Sequence, residues 1–431
     1  MTPLVALQLL AACETAAPSD TGCDEDQPLR ATWIGPEGRR GGYGQFLGSP
    51  GTGEVFYSGG DPPGFRCDSG CEIEDSGGVA WEGDPGTSGE VYVEQWSSVH
   101  FPASQPVPLP EGACPRDPCV LFGLGKPIDV LRVSDSRVIG ALHAVDPEAG
   151  YLQAAGIVEF SDWNGLVVYW DPITGEGPLA EGVHILDIAT IGDDMAVESA
   201  DASLLFDEVG SHDMAVTHDY SGDGISDVSV SFYRPSDGRH VFAVAEGPWR
   251  GIRQAANADA WVLDAWGSLV AGAAAPDFDG DGYDDIMLRN SDYEQARVGL
   301  WLGPLSSAVE FDAADVTIRD SGGRASDMSP SSPGDVDGDG STDLLLASNY
   351  DSPNAVSHAG AVYVLLGPFQ SAHDLSEAAL VLNGTYEDGY FGTSTAGLGD
   401  VDGDGADEFA IGAPGAYDGD GAVYIYSYLS P

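Results

Sequence analysis

The sequence is almost without lysine. Lys126 is the only one in 431 residues, and lysine and arginine together number 16 against 70 aspartates and glutamates. The net charge of −54 excludes nucleic acid and anionic lipid as partners and favours cations or basic surfaces. Halophilic or high-solubility adaptation is the plain alternative source of such an excess. No stretch beyond the N-terminus is long and apolar enough to span a membrane. The eight histidines form no His-Glu-x-x-His or other helical metal pair, so each reads as a surface or hydrogen-bonded histidine. Hydrophobic residues, at 42%, are enough for a core and exclude an acidic disordered chain. Glycine (59) and proline (28), with Val, Tyr, Phe and Trp in short runs, point to many strands and many turns. The length fits two or three ordinary domains or one large β-domain.

The first residues, MTPLVALQLLAACETAAPSD, hold an apolar run from Leu4 to Ala12 that ends at Cys13. They resemble a bacterial lipoprotein signal, in which that cysteine is lipidated, although no basic residue precedes the run. An ordinary secretion signal over residues 1–13 is the alternative, and residues 14–28 read as an acidic linker holding an unpaired Cys23. Either signal sends the chain out of the cell. Cys67 and Cys71, and Cys114 and Cys119, are close pairs. In an exported chain each closes a small disulfide loop. A shared four-cysteine zinc site is the rival, disfavoured by the long separation and the spacing.

One acidic pattern recurs four times. It starts at Asp219, Asp277, Asp335 and Asp400, at spacings of 58, 58 and 65 residues. A period near sixty signals a repeat architecture. Each loop is followed by an apolar run (DVSVSFY, DIML, DLLLAS, EFAIGAP), then a second run such as GAVYVLLGP, then a third such as ADAWVLD. A fourth segment such as FGTSTAGLG precedes the next loop. Four short strands per repeat is the content of one propeller blade. Residues 150–170 show the same unit with a shortened loop, SDWNG, and YGQFLGSPGTGEVFYSG and GVAWEGDPGTSGEVYVEQW resemble each other as two more units. The sequence therefore predicts an all-β chain: a seven-bladed β-propeller over residues 29–431, with acidic loops in the last four blades from about residue 200. The last repeat lacks its final strand, and ATWIGPEGRRGGYGQ resembles ALVLNGTYEDGYFGT, so Arg30 to Gly35 is expected to pair into the last blade and close the ring.

These repeats resemble the FG-GAP family, found in the integrin α-subunit propeller and in many bacterial surface proteins. Phe391-Gly392 stands for the FG and Gly412-Ala413-Pro414 for the GAP; the other acidic repeats keep the loop but few of these letters. The resemblance is firm from about residue 200 and weak before it. It implies metal loops in the last four of seven blades, which is the order seen here.

The loop reads D-x-[DS]-x-D-G-x-x-[DE]. Alternate residues of a tight turn converge, so positions 1, 3 and 5 share a centre, and glycine at position 6 permits the positive-φ bend. The carbonyl of position 7 and the acid of position 9 complete an all-oxygen shell, which suits calcium better than magnesium. The ligand sets are Asp219, Ser221, Asp223, Ile225 and Asp227; Asp277, Asp279, Asp281, Tyr283 and Asp285; Asp335, Asp337, Asp339, Ser341 and Asp343; and Asp400, Asp402, Asp404, Ala406 and Glu408. Ser221 makes the first set the least charged, and Glu408 alters the fourth geometry. The loop is not an EF-hand, since position 12 is Leu346 in the third copy and the flanks are strand-like. Dockerin and thrombospondin-type repeats are shorter. Solvated Asx-turns are the bland alternative.

Other motifs carry little. Asp-Ser-Gly-Gly occurs twice, at Asp75 and Asp320, without further protease signature. Asp20-Thr21-Gly22 and Asp68-Ser69-Gly70 lie in a linker and between cysteines. DVSVS at Asp227 falls in an expected strand. The functional expectation is an exported, cell-surface calcium-binding propeller without catalytic residues, acting as a binding or adhesion module for an unknown protein or glycan ligand. Membrane attachment would come only through Cys13. A propeller enzyme acting on glycans or phospholipids, and a scaffold without ligand, are the alternatives. Residues 97–119 read as a long loop that is a candidate contact element, with a surface decoration as the alternative.

Overall fold

The computed structural model describes residues 29–34, 47–48, 55–57, 64–66, 72–74, 80–81, 107–109, 119–121, 124–125, 128–132, 137–144 and 150–428, the last without 173–179, 191–193, 207–211, 265–268, 272–276, 291–296, 306, 322–327, 401–403 and 420. The signal and linker readings over residues 1–28, with Cys13 and Cys23, lie outside these residues. So do Cys67, Cys71 and Cys114; of Cys119 only the backbone is described, in the strand Cys119–Leu121.

The all-β expectation holds. Among the described residues the strands form seven sheets, and regular helix is confined to single short turns. The repeating unit is clearest in His212–His218, Asp227–Arg234, Arg239–Ala245 and Ala260–Asp264, which pair antiparallel in that order. Ser329–Gly334, Asp343–Ser348, Ala361–Leu365 and Leu380–Asn383 repeat it. The acidic loop always joins the first strand to the second. Gly150–Glu159 and Asn164–Pro172 form the expected hairpin around the shortened loop.

The unbroken apolar runs follow from the packing. Most strands of these sheets are buried on both faces, so they lack polar alternation. In Asp343–Ser348, Leu344 and Leu346 enter a core shared with Met287, Val298 and Leu300 of the preceding sheet. Leu345 and Ala347 face the other way, into a core with Phe409 and Ile411 of the following sheet. Arg239–Ala245 does the same. Val241, Ala243 and Ala245 pack with Val158, Val167 and Val183, while Phe242 and Val244 pack with Ile286 and Leu288. Each sheet from residue 150 on is thus clamped to its neighbour in the chain. Burial of each such aliphatic side chain contributes about 1.5–3 kcal/mol.

Two features depart from the sequence reading. Ala80–Trp81 does not begin a unit of its own; it pairs with Val55 and Phe56 as the third strand of the Leu47–Gly48 sheet. Residues 97–119 are not all loop, because Val107–Leu109 pairs with Cys119–Leu121 at the edge of a sheet. The pairing expected of the N-terminal strand is present: Leu29–Ile34 runs antiparallel to Ala422–Ser427, with Trp33 opposite Val423.

A further device has no counterpart in the sequence reading. In several units a short strand precedes the last strand and pairs in parallel with the last strand of the preceding sheet. Gly251–Gln254 lies on Ala202–Leu205, Ala308–Glu310 on Ala260–Asp264, and His373–Asp374 on Val316–Arg319. A 3-10 turn then carries the chain into its own sheet, anchored by buried Ala255, Phe311 or Leu375. The strand therefore covers the backbone groups of its neighbour's edge.

Candidate metal centre

The acidic loops are built by backbone hydrogen bonds to carboxylates. Position 1 is the hub. Asp277 accepts the N–H groups of Gly280, Asp281 and Gly282 at 2.6–3.1 Å. Asp219 does so with Gly222, Asp223 and Gly224, and Asp335 with Asp339 and Gly340. Asp400 accepts from Gly405. Glycine is required at position 6, where φ is +80°, +93°, +89° and +97° at Gly224, Gly282, Gly340 and Gly405.

Position 9 is the floor. Asp227, Asp285 and Asp343 are fully buried, and Glu408 is buried as well. Oδ2 of Asp285 accepts the Phe278 N–H at 2.7 Å, and Oδ2 of Asp343 accepts the Val336 N–H at 2.8 Å. Their Oδ1 atoms accept the N–H of Gly303 and Gly367, at the end of the third strand of the same sheet. Asp227 is held in the same way by Ser221 and Gly247. Burial pushes the Asp343 carboxyl up to about 7, with the backbone donors opposing and Asp337 and Asp335 adding to it. Asp285 and Asp227 are pushed up to about 6, for the same reasons.

The folded loops bring positions 1, 3 and 9 together. Asp277, Asp279 and Asp285 offer carboxylate oxygens all within 4.8 Å of one another, and so do Asp335, Asp337 and Asp343. Position 5 is not in either group. Asp223, Asp281, Asp339 and Asp404 instead accept the N–H of position 7, namely Ile225, Tyr283, Ser341 and Ala406, at 2.8–3.0 Å. Positions 1, 3 and 9 of the expected set thus converge, while one oxygen of each position-5 carboxylate closes an Asx-turn. In the first loop Ser221 places a hydroxyl where the others carry an acid. In the fourth, Asp402 lies outside the described residues.

Three carboxylates at this separation, one of them buried, repel each other, and all their free donor atoms are oxygen. The donor set fits a hard divalent cation, with Asp277, Asp279 and Asp285, or Asp335, Asp337 and Asp343, as the residues that would hold it. Such an ion would supply positive charge to offset that repulsion.

Two positions marked as variable in the motif also have fixed work. Position 2 is an apolar anchor: Tyr220, Phe278 and Val336 are buried in the cores between sheets. Position 8 reaches back to the preceding loop. Asp407 Oδ2 accepts the Asp335 N–H at 2.9 Å, and Asp284 Oδ2 accepts the Asp219 N–H at 3.0 Å. A signal was visible, since position 2 is always apolar and position 8 always polar.

Residues 331–365 and 391–426 match the FG-GAP repeat. Integrin alpha-PS2 of Drosophila melanogaster is 44% identical over 101 residues, covering 21% of this chain and 7% of that protein. Integrin alpha-5 of Xenopus laevis is 41% identical over 98 residues (22% and 9%), and human integrin alpha-7 is 41% identical over 92 residues (21% and 7%). The matches span less than a tenth of each relative's length. A solved chain described as BBS1N in complex with ARL6DN, soaked with lead, overlays with a TM-score of 0.46 and 10% identity, covering 93% of this chain and 98% of that one. Among the described residues no helix is long and apolar enough to cross a membrane.

Proposed function

Because the chain carries FG-GAP repeats similar to those of integrin α subunits, we propose that it is an exported, seven-bladed, calcium-binding β-propeller that serves as a binding or adhesion module. The observation that carries calcium is the pair of carboxylate triads, Asp277/Asp279/Asp285 and Asp335/Asp337/Asp343. The first and fourth acidic loops share the backbone scaffold and are included in the proposal.

Seven sheets support seven blades. Support for a ring comes from the innermost strands. Gly150–Glu159, His212–His218 and Leu269–Ala271 neighbour each other in chain order, as do Ser329–Gly334 and Ser394–Gly399. Ser394–Gly399 also lies beside Leu47–Gly48 of the first sheet, and Leu29–Ile34 joins the last sheet.

In this reading calcium is architectural. It neutralises the triads and fixes the turn that feeds each second strand. The ligand is an unidentified protein or glycan, and the export reading rests on the apolar run ending at Cys13. Native mass spectrometry of chelator-stripped chain, titrated with calcium, tests the metal: uptake of up to four ions is expected. A chain that stays at its apo mass in millimolar calcium refutes it. Glycan-array binding with and without calcium tests the module.

A further inference from the structure

Resting on the calcium reading above, we propose that the four acidic loops load as two coupled pairs, first with second and third with fourth, and that Asp284 and Asp407 are the positioning residues that transmit the coupling. Each of these aspartates belongs to one loop but is bonded to the loop before it.

The links are regular. Asp407 Oδ2 accepts the N–H of Asp335 at 2.9 Å, and the Asp407 N–H donates to the Asp335 carbonyl at 2.7 Å. Asp284 repeats this on Asp219, at 3.0 Å and 3.4 Å. Both grip the main chain of position 1, the residue whose carboxylate gathers the N–H groups of its loop. Both sit in sequence between positions 7 and 9 of their own loop. An ion that fixes position 1 of one loop therefore fixes the partner of position 8 in the next, one bond away from that loop's buried acid. The coupling needs no long path, only a shared two-bond clamp.

The middle junction differs. There position 8 is Thr342, whose hydroxyl donates a single neutral bond of 3.2 Å to the Asp277 carbonyl. A carboxylate gripping an N–H makes a shorter and stronger bond than a neutral pair. Glycine contacts show the same grouping independently. A Cβ on Gly222 of the first loop would run into the Tyr283 ring of the second. A Cβ on Gly338 of the third would lie 3.1 Å from the Gly405 carbonyl oxygen of the fourth. A Cβ on Gly280 of the second loop would meet nothing within 4 Å. Loops one and two touch, loops three and four touch, and two and three stand apart at this position. The shortened loop before the first is joined by Ser226, which exchanges two bonds with Glu159, but it carries no triad to couple.

The test is the distribution of bound ions across a calcium titration of the full chain, read by native mass spectrometry. Pairwise loading populates the species with zero, two and four ions and depletes those with one and three by at least fivefold relative to independent sites. Asp407→Ala and Asp284→Ala, checked for folding by circular dichroism, restore the odd species. Asp407→Asn, which keeps an acceptor for the Asp335 N–H, retains most of the depletion. Thr342→Ala leaves the distribution unchanged. A statistical distribution in the unmodified chain, or one that Asp407→Ala and Asp284→Ala do not alter, overturns the coupling while leaving calcium binding intact. Absence of any uptake removes the calcium reading and the coupling together.

Discussion

Oδ1 of Asp343 accepts the backbone N–H of Gly367 at 2.8 Å, across 24 residues of chain. The other oxygen holds Val336. The acid at position 9 is therefore a structural tie between a turn and the far end of the next strand but one, whatever else it binds. Asp343→Ala leaves two N–H groups without acceptors, and each buried orphan costs about 1–3 kcal/mol. Chemical denaturation in EGTA should show a loss of roughly 2–5 kcal/mol. A purely metal-binding residue would show no loss under those conditions.

Calcium should matter to stability as well. A site filled at a hundred times its dissociation constant adds about 2.7 kcal/mol. Differential scanning calorimetry should record a lower melting temperature in EGTA and its recovery with calcium. Superimposable traces would remove the architectural role.

His184 gives a pH dependence unrelated to the acidic loops. It is buried, with Nδ1 3.0 Å from Ser203 Oγ and Nε2 3.1 Å from the Ala180 carbonyl. A carbonyl only accepts, so Nε2 carries the proton and Nδ1 accepts from the serine. Burial lowers the pKa to about 4, with the Ala180 bond and Glu198 opposing. The folded value lies below the unfolded one, so the unfolded chain takes the proton first. The contribution is whole above about pH 6.5 and is lost as pH falls towards 4, by about 3 kcal/mol in all. His184→Gln should flatten that part of the stability curve, measured as the difference between the two proteins.

Phe278 anchors the second acidic loop between two sheets, edge-on to Phe369 at 5.5 Å. Phe278→Ala should cost about 3–5 kcal/mol through the cavity it leaves. It should also weaken calcium binding by its loop more than by the loop that starts at Asp335. Equal weakening at both would place the anchor's effect on the whole fold rather than on its loop.

Much of this was legible in the sequence. The repeat period placed the acidic loops, and the runs DVSVSFY and DLLLAS became the strands that follow them. What stayed hidden depends on contacts between repeats. Asp407 and Asp335 are 72 residues apart, so nothing local marks position 8 as a clamp. The glycine before each Gly-Pro pair's proline, at 247, 303 and 367, gives its N–H to position 9 only once the sheet has formed. The parallel strands His373–Asp374 and Ala308–Glu310 are too short to leave a period-2 pattern. The Asx-turn at position 5 was legible only as acid content, because an Asx-turn and a metal ligand ask for the same residue at the same place.

The borrowed edge strands have a consequence for how such a chain can be cut or copied. Ala260–Asp264 is covered by Ala308–Glu310, and Val316–Arg319 by His373–Asp374, residues that belong to the next repeat. These sheets overlap like roof tiles, the later one holding down the margin of the one before. A fragment ending at a repeat boundary therefore carries a bare margin at its last sheet, open to any passing strand. Shortened versions of this protein should be trimmed after a short parallel strand and its 3-10 turn, not after the motif that makes the repeats visible.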